Sequence, residues 1–186
     1  MGKLNLKKQG GFTVVELLIV LIILSIVLSL GYMFFSFGLR AFSRGEQQSI
    51  AQQGIRNAAN FISSEIRYAE EIIINPEEIV DNDQYYYIYQ QVGGGSVIYR
   101  DTNMNERILL DHTFDEIAYS ISFAEQSFTA GIDTSLVVSF VLEAENDLYV
   151  LDTNVYILNL VDGTKYDDLS GGVGHIDGIK FKKPLD

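Results

Sequence analysis

From Leu17 to Leu39 the chain carries no charged residue. As a helix rising about 1.5 Å per residue, that run is roughly 35 Å long against about 30 Å of bilayer hydrocarbon, so it can span a membrane. Lys3, Lys7 and Lys8 stand before it, and Arg40 and Arg44 stand after it, ahead of a long acidic part. Three lysines on a short flank favour an N-terminus in the cytoplasm and a bulk that faces outward; the two arginines weaken that bias. The 186 residues leave room for one globular domain with its own core beside such an anchor.

The formal net charge is −12, and the first eleven residues, MGKLNLKKQGG, carry three lysines and no acid, so the remainder stands at −12 − 3 = −15. So acidic a surface repels nucleic-acid backbone, whose binding draws on Lys and Arg displacing counterions. No nucleic-acid partner is expected from the bulk charge, although a local patch such as Lys180–Lys183 is still able to act. There is no cysteine, which excludes thiol catalysis, thiolate zinc sites and disulfides together.

A secretory signal peptide also begins basic and turns apolar, but its apolar region is about 7 to 15 residues long and its small-residue cleavage site follows that region. Here the run is longer, and the small pair Gly10 and Gly11 precedes it. A plain anchor explains the lysines and the length but not Glu16, because an unpaired carboxylate near hydrocarbon costs a few kcal/mol. No Lys, Arg or His lies between Phe12 and Leu39. A cut between Gly11 and Phe12 creates an α-amino group four residues from that carboxylate, on the same subunit or on a neighbour.

The stretch "GGFTVVELLIVLIILSIVL" resembles the class III signal of type IV pilins and type II secretion pseudopilins: a short basic leader ending in glycine, then Phe, then Glu at the fifth mature position, then an apolar helix. The resemblance implies that a membrane prepilin peptidase removes residues 1–11 by cutting between Gly11 and Phe12. It further implies that Phe12 is N-methylated and that Glu16 compensates the terminal amine of a neighbouring subunit as a helical filament assembles. The implied partners are other pilin or pseudopilin subunits, the peptidase, the inner-membrane assembly platform and the membrane itself; no cofactor is implied. The common proline at the twenty-second mature position is replaced by Met33, which puts a fixed kink there in doubt and makes Gly31, Gly38 and Gly45 the weak points. The resemblance covers adhesive or motile pili, competence pseudopili and secretion pseudopili alike.

Beyond the apolar run, Ile55, Ala58, Ala59, Ile62, Ile66, Ala69 and Ile73 recur at gaps of three and four, one stripe on a helix that faces the protein's own sheet. One helix is expected from about Phe12 to Ile74, broken or bent near the glycines and ended by Asn75-Pro76. Its residues 12–39 are the membrane or filament-core part and 40–75 the amphipathic part, leaving 76–186 as a β-sheet head. In the head, "YYYIYQQV", "SVIYR", "RILLD", "EIAYSISFAEQ", "SLVVSFVLEAE" and "LYVLDTNVYILNL" read as strands, and "GGG", "DTNMNE" and "ENDL" as turns. The expected fold is α+β: a long N-terminal helix packed on an antiparallel sheet, the pilin-like arrangement. The strand spacing is similar to the minor pilin W-like and pseudopilin J-like branch. The glycine-rich tail from Val161 to Asp186 is expected to be loop.

Catalytic constellations are sparse. His112 and His175 are isolated from each other, and there is no G-x-S-x-G elbow or P-loop. Calcium candidates are the acids Asp162, Asp167 and Asp168, and the cluster Asp81, Asn82 and Asp83, since oxygen ligands on a flexible loop suit that ion; neither group has EF-hand spacing, and solvated loop acids are the simpler account. Tyr85, Tyr86, Tyr87 and Tyr89 form either a contact surface or packing against the helix. Two functions from different classes follow: a structural filament subunit of the minor kind, not an enzyme, and alternatively a filament-tip or membrane-tethered module that contacts DNA, a surface or a secreted substrate.

Overall fold

The computed structural model describes residues 13–80, 84–91, 93, 95–115, 117–130, 133–145, 148–159, 166–168 and 176–184. The chain divides into two units, residues 1–45 and 46–186. The helix α1, Val14–Ile66, begins in the first and ends in the second.

In the first unit the large apolar side chains from Val14 to Phe42 are exposed on every face of α1, the all-round apolar surface of a helix suited to lipid or to neighbouring helices. The helical conformation is unbroken at Gly31, Gly38 and Gly45, so the break expected there does not occur. Glycine lowers helix propensity by about 1 kcal/mol relative to alanine, but each of these stands alone among good helix formers. No atom of another segment lies within 4 Å of a Cβ built at any of the three.

In the second unit α1 buries Ala51, Ile55, Ala58, Ala59, Ile62 and Ile66, the stripe that the spacing predicts. The helix stops eight residues early. The amide of Ala69 closes back on the Ile66 carbonyl at 3.1 Å, and the next free amide, Glu70, donates to the carbonyl of Lys182 at 2.8 Å. From there Glu71–Ile74 is a strand, β1, rather than helix. Ile72 and Ile74 are fully buried while Ile73 between them is half-buried, so the period has switched from 3.6 to 2. Three successive β-branched residues fit a pleated strand better than a helical turn, and a sheet partner was waiting for them.

That partner is the largest departure from the expected head. The tail is not all loop: it supplies β8 (Tyr166–Asp168) and β9 (Gly178–Lys182). With β2 (Tyr86–Gln90), β3 (Val97–Arg100) and β4 (Glu106–Leu110), these form a six-stranded sheet ordered β4-β3-β2-β9-β1-β8. β9 lies between β1 and β2 and is antiparallel to both, whereas β1 and β8 run parallel. "GIKFK" alternates apolar and lysine side chains, and its Ile179 and Phe181 are fully buried.

The second sheet is a three-stranded meander of β5 (Tyr119–Ala130), β6 (Asp133–Ala144) and β7 (Tyr149–Tyr156), antiparallel throughout. Tyr119, Ile121 and Phe123, with Ile117 before them, are buried at alternate positions, as "IAYSISF" predicts. Between β4 and β5 a single turn of helix, α2, spans His112–Asp115. The head is thus built on two sheets rather than one. Ile62 of the helix, Ile88 and Phe181 of the first sheet and Phe140 of the second belong to one apolar core. On the other face of the six-stranded sheet, Tyr87, Tyr89 and Ile98 form a smaller cluster with Ile79, Tyr85 and Ile176.

The turns hold their sequence signals. Gly93 has φ +74°, the left-handed region that glycine enters freely. At "DTNMNE" the Asp101 carboxylate accepts from the amides of Asn103 and Asn105, at 2.9 and 2.8 Å, and from the Asn105 side chain at 2.9 Å. Those bonds, the Asn105 side chain first, hold its carboxyl below the ordinary aspartate range.

Candidate assembly site at the start of the helix

Thr13 and Glu16 close the first turn of α1 on each other. The Glu16 amide donates to Thr13 Oγ1 at 3.2 Å, and the Thr13 amide donates back to Glu16 Oε2 at 3.4 Å. Thr13 Oγ1 also donates to Glu16 Oε2 at 3.5 Å, and the Leu17 amide reaches the Thr13 carbonyl at 3.2 Å. This is a capping box: a threonine at the N-cap and a glutamate three residues on each satisfy an amide that the helix itself leaves open. The negative charge also stands at the positive end of the helix dipole.

The capping box amends the expectation drawn from cations alone. Glu16 is exposed and does have hydrogen-bond donors inside its own chain, both from Thr13. What it lacks among the described residues is a cation: no ion pair involves it. Hydrogen bonds orient the carboxylate and leave its charge uncompensated. Thr13 is thus the partner of Glu16 within the chain, and T-x-x-E before an apolar run is its sequence signature. Gly11 and Phe12 lie outside the described residues.

The other candidates are scattered. Asp81, Asn82, Asp83, Asp162 and His175 lie outside the described residues. Asp167 and Asp168 fall in β8, paired with Ile73 and Ile74 of β1, and not in the loop expected for them. Among the described residues no group of three or more acids or histidines is arranged to hold a metal ion. His112 has its main-chain amide on Ser96 Oγ at 3.0 Å, while its Nδ1 is buried with no hydrogen-bond partner among the described residues.

Lysines of the tail are engaged within the head. Lys183 Nζ lies 2.7 Å from Glu65 Oε2 and 4.6 Å from the ring centre of Tyr86, and Lys180 Nζ lies 4.9 Å from that of Tyr85. Tyr99 shares Glu65, and burial together with that bond pushes its hydroxyl pKa up. Tyr86 stacks between Tyr99 and Phe181 at 6.2 and 5.6 Å. Tyr87 is buried, accepting from the Val80 amide at 3.3 Å, and Tyr89 donates to Glu106 at 2.9 Å. The four tyrosines therefore pack, on both faces of the sheet, rather than forming a free contact surface.

Residues 6–32 match the model of the prokaryotic N-terminal methylation motif. No curated protein matches the chain. Among solved structures, the PilB minor pilin from Streptococcus sanguinis is similar in fold, with a TM-score of 0.52 at 12% identity over 74% of this chain. The D319A mutant of the same minor pilin gives a TM-score of 0.52 at 13% identity over the same share. This chain spans only 35% of the length of those structures. The chain thus joins a prokaryotic N-terminal methylation motif over residues 6–32 to a fold similar to that of a minor pilin.

Proposed function

We propose that this protein is a subunit, of the minor kind, of a type IV pilus or pseudopilus. The leader 1–11 is removed between Gly11 and Phe12, Phe12 is N-methylated, and residues 12–39 pass from the bilayer into the core of a filament while the head packs outside. In the filament Glu16 faces the terminal amine of a neighbouring subunit, a cation that the described residues of its own chain do not supply. The observation that carries this reading is the methylation motif over residues 6–32, which runs into a helix whose apolar side chains are exposed. The minor-pilin fold of the head supports the subunit class.

The chemistry is one of charge relief. A carboxylate at the end of a membrane helix is costly, and an ammonium from the next subunit recovers that cost only on assembly, which makes the pair a driving force for extraction from the bilayer. Glu16→Val is expected to be cleaved and inserted like the wild type but to be largely missing from sheared filaments, by tenfold or more. Incorporation of the variant at the wild-type level contradicts the pairing.

A further inference from the structure

The outer end of the apolar helix carries a collar. Tyr32, Phe34, Phe35, Phe37 and Phe42 are each 64–75% exposed. At about 100° per residue these rings project around most of the helix circumference, leaving one gap between Tyr32 and Phe37. Arg40 and Arg44 fall in that gap, about 40° apart and one turn from each other. No acid stands between Leu17 and Gly45, and Glu46 projects toward the far side of the helix.

The heights agree with a headgroup site. Twenty residues from Leu17 cover about 30 Å, so the hydrocarbon ends near Ser36; Arg40 stands about 6 Å beyond it and Arg44 about 12 Å beyond it. Helical side chains lean toward the N-terminus, here toward the bilayer. Arg40 does so visibly, with its Nε donating to the Ser36 carbonyl at 3.3 Å. One of its five N–H groups is thereby used, which leaves the terminal fork to meet a phosphate at that height. A planar guanidinium meets a phosphodiester through two parallel hydrogen bonds; among the rings Tyr32 is of the type that favours the interfacial layer, and the phenylalanines supply apolar surface for the hydrocarbon beside it.

We propose that Arg40 and Arg44, set in this aromatic collar, bind the phosphodiester headgroups of anionic phospholipid at the outer face of the membrane and hold the subunit at a fixed depth before assembly. The proposal rests on the membrane-spanning part of the function above. It also gives the two arginines a role that charge bias across the membrane does not, since on that count they stand on the unfavourable side.

The test is native mass spectrometry of the full chain released from detergent after equilibration with equal amounts of phosphatidylglycerol and phosphatidylcholine. Each interfacial arginine is expected to favour the anionic lipid about fivefold. The ratio of bound lipids should therefore fall about 25-fold in Arg40→Gln/Arg44→Gln, whatever the leader lysines add, and should not move in Arg56→Gln/Arg67→Gln. An unchanged ratio in the first variant overturns the proposal, and so does loss of the bound lipid to added inorganic phosphate, which would assign the site to free anions. Alkaline carbonate washing separates the two levels of failure. A chain that stays in the membrane without lipid preference defeats only this proposal; a chain that washes out defeats the spanning helix as well.

Discussion

Gly178 is the residue on which the central strand of the head turns. A Cβ there meets the Ile88 carbonyl oxygen at 2.6 Å and Tyr89 Cβ at 2.8 Å, atoms held by the pairing of β2 with β9 and unable to swing aside. Gly178→Ala should therefore destabilise the head by about 3 kcal/mol, the upper end of the range for overpacking, as measured by urea unfolding of the fragment from Glu46. Tyr89 and Tyr99 set a second test. Burial first, then the Glu106 bond, pushes the Tyr89 pKa up to about 12, and burial with the Glu65 bond raises that of Tyr99. A phenol whose folded pKa is raised stabilises the fold in full below its unfolded value near 10 and loses that contribution as pH climbs through the folded value. Stability should be level from pH 8 to about 10 and fall steeply between about 10 and 12, and absorbance at the phenolate band should show two tyrosines ionising late, together with unfolding. Both hydroxyls titrating early in a folded chain would refute the bonds to Glu106 and Glu65. At this scale the sequence declared Glu16 openly, because a lone acid in an apolar run is conspicuous. Thr13 was equally readable but silent to a search for countercharges.

Elements differ in how far they can be read ahead. The stripe from Ala51 to Ile66 is local: six buried positions at helical spacing announce one helix face. The strands from β2 to β7 announce themselves through runs of β-branched and aromatic residues between turn signals. The helix end and the last strand do not. Ile72, Ile73 and Ile74 continue the helical spacing acceptably, and what diverts them is a partner strand more than a hundred residues later, Glu71 to Lys182 in register. "GIKFK" in turn is five residues in a glycine-rich tail, too short to outweigh its surroundings. The diversion is testable. Ile72→Ala and Ile74→Ala should each cost about 2–5 kcal/mol, the range for emptying a buried isoleucine site, and the half-buried Ile73→Ala clearly less. A helix over the same residues would give the opposite order, with Ile73 the most costly, in the same urea titrations.

At the scale of the whole molecule, the two units divide the work. The head covers most of its own apolar surface: the helix and both sheets share one core beside a smaller cluster on the six-stranded sheet, and Lys180 and Lys183 are held by Glu65 and by tyrosine rings. The helix up to Gly45 leaves its apolar side chains exposed, and its Glu16 has hydrogen bonds from Thr13 but no ion pair among the described residues. The proposed function rests on that helix and its processing, which makes the N-terminus of the mature protein the decisive observable. Mass spectrometry of the protein from native membranes or sheared filaments should find a chain that begins at Phe12 with a methylated α-amine. A chain still beginning at Met1 would contradict the account.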